Sequence, residues 1–193
     1  VGELLGNSTS RTDVYQYSTN TGLTSCNLPN GGGEGIVVDP TKNIAYIATC
    51  CNQGQIRIYD IVSGTFQTPI DVPGEDLLDV TISKDYAFLY VTTYNKVYKI
   101  STASKSISGS FSKTSLVNNT AKDFWGVTVH PTNGNIYVSS NWQLGSGTST
   151  IEYFSSSMSG SSTRIATAPT GYNYRGIIFD NSGNLWAVAS SSG

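Results

Sequence analysis

Four positions in this chain combine residue types able to hold a ligand with a spacing that repeats: Glu34, Leu78, Trp125 and Arg175. Each directly precedes the Gly or Asp that opens an apolar segment: Gly35, Asp79, Gly126 and Gly176. Residues that only pack should be alike at symmetric positions, yet these are an acid, an aliphatic, an indole and a guanidinium. Divergence at a repeated position points to a site, because function gathers on the loops and mouths of a rigid scaffold. The acid Glu34, the base Arg175 and the aromatic wall Trp125 suit a polar neutral ligand such as a sugar, stacked on the indole and hydrogen-bonded to the charged pair. The alternative is a Glu34–Arg175 ion pair that binds nothing.

Aromatic loops supply a second candidate. Trp142 lies in Asn141-Trp-Gln-Leu-Gly-Ser-Gly-Thr148 and Tyr172 in Thr170-Gly-Tyr-Asn-Tyr174, both rich in glycine and polar residues. Aromatic side chains on such loops serve as platforms for sugars or peptides, or fold back onto the scaffold. His130, the sole histidine, occupies the place held by Asp39, Ser83 and Asp180 in the other repeats, so a turn role is expected for it. No Gly-x-Ser-x-Gly elbow is present, and no catalytic residue is assigned.

The elements that position these residues come from a phrase that returns four times. It reads Gly35-Ile-Val-Val-Asp-Pro-Thr-Lys-Asn-Ile-Ala-Tyr46, Asp79-Val-Thr-Ile-Ser-Lys-Asp-Tyr-Ala-Phe-Leu-Tyr90, Gly126-Val-Thr-Val-His-Pro-Thr-Asn-Gly-Asn-Ile-Tyr137 and Gly176-Ile-Ile-Phe-Asp-Asn-Ser-Gly-Asn-Leu-Trp186. Each copy is an apolar strand, a polar turn and a second strand closed by an aromatic residue, and Tyr46, Tyr90, Tyr137 and Trp186 are expected to pack between repeats. Third strands are predicted at 13–18, 55–60, 96–101 and 150–155, and more polar fourth strands at 23–28, 66–72, 106–112 and 163–168. A polar outer strand is what an exposed sheet edge requires.

Four strands per repeat of roughly 45 residues predict an all-β propeller of four-stranded blades. The chain reads as one domain, 1–193, with blades at 34–73, 76–112 and 123–169 and a fourth at 174–193 completed by 1–29. Glu3-Leu-Leu5 resembles an additional second strand, so both an extra edge strand and a piece of a larger ring stay open.

Composition narrows the partners. A net charge of −2 with 12% charged residues gives no electrostatic footprint for nucleic acid or an anionic membrane. No apolar run has the length of a membrane span. The start, Val1-Gly-Glu-Leu-Leu-Gly, lacks a signal-peptide core, as in a chain whose secretion signal has been removed. A polar surface built from Ser, Thr, Asn and Gly points outside the cell, as do the sequons at Asn7 and Asn118. Three cysteines permit one disulfide; the strain of a vicinal ring favours Cys26 with Cys50 or Cys51, the alternative being three unpaired thiols.

The pattern Gly35-Ile-Val-Val-Asp39 with Asn43 and Tyr46, followed by Ile56-Arg-Ile-Tyr-Asp60 and Gly64, resembles the NHL and YVTN-type propeller families. The first unit, Gly33-Glu-Gly-Ile-Val-Val-Asp39 through Gly54-Gln-Ile-Arg-Ile-Tyr-Asp60, is also similar to the opening of gluconolactonase-like (SMP-30) hydrolases. That second resemblance implies Glu34 as ligand to calcium or another divalent cation, with an Asn before a later Gly and an Asp near the end of a second strand. Trp125, Arg175 and Ser140 stand at those places here, with Asn141 or Asp79 as possible substitutes.

The leading expectation is a secreted, non-catalytic propeller module without a cofactor that recognises a glycan or an extracellular protein. The alternatives are a metal-dependent lactonase-like hydrolase and a ligand-free segment that assembles with further blades or copies.

Overall fold

The computed structural model describes residues 13–16, 24–27, 32–50, 54–72, 75–117, 123–141 and 149–191. The chain is all-β: apart from one 3-10 turn at Lys113–Ser115, every regular element among the described residues is a strand. It forms two compact units, Val1–Asp76 and Leu77–Gly193.

In the first unit, β1 (Asp13–Gln16) and β2 (Thr24–Asn27) form a two-stranded antiparallel sheet. Strands β3 (Gly32–Asp39), β4 (Ile44–Cys50), β5 (Gln55–Asp60) and β6 (Thr65–Asp71) follow as a four-stranded antiparallel sheet in sequence order. Every residue of β4 is buried, which explains its continuous Ile-Ala-Tyr-Ile-Ala-Thr-Cys run, whereas β6 at the sheet edge is mostly exposed. Ala45, Ile47 and Tyr59 pack together with Ile61 and Phe66, the rings of Tyr59 and Phe66 lying 5.2 Å apart.

The second unit holds two further four-stranded blades. One is β7 (Asp79–Ile82), β8 (Phe88–Thr92), β9 (Lys96–Ser101) and β10 (Ser106–Ser112); the other is β11 (Asp123–Val129), β12 (Ile136–Asn141), β13 (Thr150–Phe154) and β14 (Thr163–Thr167). A last antiparallel pair is β15 (Tyr172–Phe179) with β16 (Leu185–Ser191). Tyr90, Phe111, Phe124, Val127, Val138 and Phe154 belong to one buried cluster shared by the two blades, with Phe111 and Phe154 stacked at 4.0 Å. Burial of such aromatic and branched side chains is the main force that docks one blade on the next.

The hairpin turns are built as the repeat predicts. Asp39 Oδ1 accepts hydrogen bonds from the Thr41 and Lys42 amides, and Asp180 Oδ1 from those of Ser182 and Asn184. Ser83 Oγ accepts from the Phe88 amide, and His130 Nδ1 from the Thr132 amide at 3.1 Å. His130 thus does the work of an Asp side chain in a turn, which fixes its tautomer with the proton on Nε2.

Two expectations need correcting. Gly35, Gly126 and Gly176 do not open their strands; β3, β11 and β15 begin upstream, and each glycine sits at a break in register. A β-bulge absorbs an extra residue, so pairing continues beyond the glycine. Only Asp79 begins its strand, and β7 has no bulge. The aromatic register also diverges: Tyr46 and Tyr90 are buried, and Tyr137 meets Phe179 edge-on at 4.9 Å, but Trp186 is 63% exposed. Its indole N–H instead donates to Asp180 Oδ2 at 3.1 Å, and among the described residues no third strand joins β16 in its sheet.

Candidate functional site

The bulges explain how the candidate residues are displayed. Register is lost between Gly33 and Gly35, between Phe124 and Val127, and between Tyr174 and Ile177, so Glu34, Trp125 and Arg175 all fall where ladder pairing lapses. A bulge re-aims the side chain it carries. In the second unit this brings two of the candidates together: the guanidinium carbon of Arg175 lies 4.0 Å from the centre of the Trp125 ring. Both residues are half-buried, and among the described residues the Arg175 N–H groups meet no acceptor and no carboxylate.

Hydroxyls beneath the pair hold its backbone in place. Thr92 Oγ1 donates to the Trp125 carbonyl at 2.6 Å, and Ser139 Oγ donates to the Arg175 carbonyl at 2.7 Å. Ser139 Oγ also accepts from the Gly126 amide at 2.8 Å. Thr92 and Ser139 are fully buried and stand two residues after Tyr90 and Tyr137, so one device recurs in successive blades. Each spans from a second strand to the bulge of the next blade. Fixing both carbonyls fixes the separation of the two bulges, and with it the stacking of guanidinium on indole.

Asp79 completes this framework. Its Oδ2 accepts from the Val127 amide at 3.0 Å and its Oδ1 from the Val80 amide at 2.8 Å. Burial pushes its pKa up to about 6, against the lowering effect of those two N–H donors. The folded protein therefore holds this proton more tightly than the unfolded chain does. The resulting stability is fully present below the unfolded value of 3.8 and is lost as pH rises through about 6. Compared with Asp79→Asn, the wild-type protein should lose on the order of 2 kcal/mol between pH 4 and pH 7.5. Paired thermal melts of the two proteins at both pH values measure that change, and a constant difference between them contradicts the assignment.

The remaining candidates lie as follows. Glu34 is an exposed residue of the first unit, and its carboxyl pKa is raised by burial and by the charge of Asp76. Cys50 Sγ lies 3.1 Å from Glu34 Oε1. Among the described residues no three His, Cys, Asp or Glu side chains come together as a metal site. Ser140 is buried in hydrogen bonds with Thr150, and Leu78 is buried with its amide donating to the Thr92 carbonyl.

Tyr172 opens β15 and is 47% exposed on the strand that carries Arg175. Trp142, Asn7, Asn118, Cys51 and the side chains of Cys26 and Asn141 lie outside the described residues. Sequence reasoning missed Thr92 and Ser139. Their signal was a hydroxyl two residues beyond the repeated Tyr in an otherwise apolar strand. A scan against models of protein families finds no match to this chain, and a search of curated proteins finds none either.

Proposed function

We propose that the chain is a secreted, non-catalytic binding module of NHL or YVTN propeller type that recognises a glycan or an extracellular protein. One observation carries the reading: a guanidinium stacked on an indole at two equivalent bulges, with its N–H groups unengaged among the described residues. The indole covers one face of the guanidinium, so the donor edge is what a ligand meets. That rigid fork suits paired sugar hydroxyls or a carboxylate. A ligand therefore approaches the edge of Arg175 and the rim of Trp125, a different approach from stacking on an open indole face.

Tyr172, exposed on the strand that carries Arg175, belongs to this reading as a flanking aromatic contact. Three cysteines, enough for one disulfide between Cys26 and Cys50 or Cys51, agree with an extracellular setting. Assembly with further blades or copies is supported by β15–β16, where Ile178, Trp186 and Val188 are each more than 60% exposed among the described residues.

Glycan and protein arrays probed with wild type, Trp125→Ala and Arg175→Ala test the proposal. Both variants should lose binding by roughly tenfold or more while melting within a few degrees of wild type. If Trp125→Ala instead melts far lower and binds every array partner unchanged, the pair is packing and the proposed site is wrong.

A further inference from the structure

A cleft of about 600 Å3 opens in the second unit between the β7–β8 turn and the β11–β12 turn, away from the bulges that carry Trp125 and Arg175. Its volume is that of a small-molecule site. Tyr90 lines it, and this side chain is 2% exposed. Among the described residues the Tyr90 hydroxyl has no hydrogen-bond partner, and it is not among the polar atoms sealed from solvent, so it is available to a ligand in the cleft. Burial and the nearby charge of Asp85 push its pKa up to about 12, so it is a neutral phenol that can both donate and accept.

The polar groups around this phenol have a definite character. Lys99 Nζ lies 4.1 Å from the centre of the Phe88 ring and donates to the Ser156 carbonyl at 2.9 Å, which holds the ammonium at the cleft wall. Lys84 adds a second cation from the turn. His130 lines the opposite side and carries its remaining proton on Nε2, because Nδ1 is taken by the turn amides. Asp85 is the one carboxylate of the lining. The Ser83 hydroxyl and the Ala87 amide bind it and hold it ionised.

We propose that this cleft binds an acidic monosaccharide, a uronic acid unit, with its carboxylate on Lys84 and Lys99 and its hydroxyls on Tyr90 and Asp85. Two ammonium groups against one carboxylate favour an anion. A compact inorganic anion would fill little of the volume and would face Asp85 unfavourably. A neutral sugar would use Asp85 and Tyr90 but leave the excess positive charge unmatched. A uronate satisfies both sets, and its hydroxyls can bond the Tyr90 phenol.

Calorimetric and NMR titrations with glucuronate, glucose and acetate test this. Glucuronate should bind saturably and shift resonances of Lys99, Tyr90 and His130. Glucose and acetate should each bind roughly tenfold or more weakly. Lys99→Gln keeps a donor for the Ser156 carbonyl, and Lys84→Gln changes only an exposed turn; each should weaken glucuronate roughly tenfold. Tyr90→Phe keeps the packed ring and should weaken it severalfold, while Trp125→Ala should leave it unchanged. The proposal is overturned if glucuronate does not saturate, if acetate binds as tightly, if binding survives the lysine and tyrosine variants, or if Trp125→Ala removes it. The last outcome would place the anion at the Arg175 site. Failure of the array experiment with retention of this behaviour would separate the two sites.

Discussion

Gly126→Ala should destabilise the protein by about 3 kcal/mol, because the added methyl has nowhere to go. A Cβ at this position would lie 2.5 Å from the Arg175 carbonyl oxygen, 3.0 Å from Ser139 Oγ and 3.2 Å from the Ile177 amide. Two of those neighbours are backbone atoms, which cannot rotate aside as a side chain would. The Arg175 carbonyl is also held by the Ser139 hydroxyl, so relief of the clash breaks the bond that spaces the two bulges. Binding at Trp125 and Arg175 should be lost along with the stability. Gly109 is the control: a Cβ there makes only ordinary contacts, with Met158 Cγ at 3.7 Å and Lys99 Cβ at 4.0 Å, and Gly109→Ala should change stability by less than about 1 kcal/mol. Urea unfolding of both variants measures the contrast. Equal losses would mean that the close approach of β11 to β15 is not as described.

Glu152→Ala should cost a similar or larger amount, about 3 to 5 kcal/mol. The side chain is 1% exposed on β13. Its Oε1 accepts from Thr150 Oγ1 at 3.0 Å, and its Oε2 accepts from the Val117 amide and from the Ser162 hydroxyl. Arg164 Nε stands 3.9 Å away as a charge partner. Alanine would leave the buried Thr150 and Ser162 hydroxyls without this acceptor and Arg164 without its charge partner, whereas a buried carboxylate so surrounded is well compensated. Glu152→Gln keeps the shape but turns one acceptor into a donor, and should cost about 1 to 3 kcal/mol. Thermal unfolding that leaves Glu152→Ala within 1 kcal/mol of wild type, a margin ordinary for surface positions, would contradict this.

Much of the fold was legible because its signals are local. Alternating or continuous apolar runs such as Gln55–Asp60 and Ile44–Cys50 read directly as strands, and Asp39, Ser83, His130 and Asp180 read as turn residues because each bonds amides a few positions along. The bulges were not legible. A glycine after a variable residue looks like a strand opening, and only the ladder on both sides shows that pairing resumes upstream. Glu152 reads as an outward-facing polar residue until Val117 and Ser162, distant in sequence, are brought to it.

The candidate site was half legible for the same reason. Symmetry singled out Trp125 and Arg175, but that the guanidinium covers the indole depends on the spacing set by Thr92 and Ser139. The second cleft left no sequence signal at all. Lys99, Tyr90 and Asp85 look like ordinary strand and turn residues, and their grouping exists only where two blades meet.

The central claim is that a ligand docks on the stacked pair, and Trp125 itself can report it. The chain has three tryptophans, so Trp142→Phe with Trp186→Phe leaves Trp125 as the single indole. Fluorescence of this variant is titrated with the strongest array ligand, with and without Arg175→Ala. A saturable change in Trp125 emission that matches the wild-type affinity and disappears with Arg175→Ala is the expected result. Undiminished binding with unchanged Trp125 emission would show that the ligand docks elsewhere.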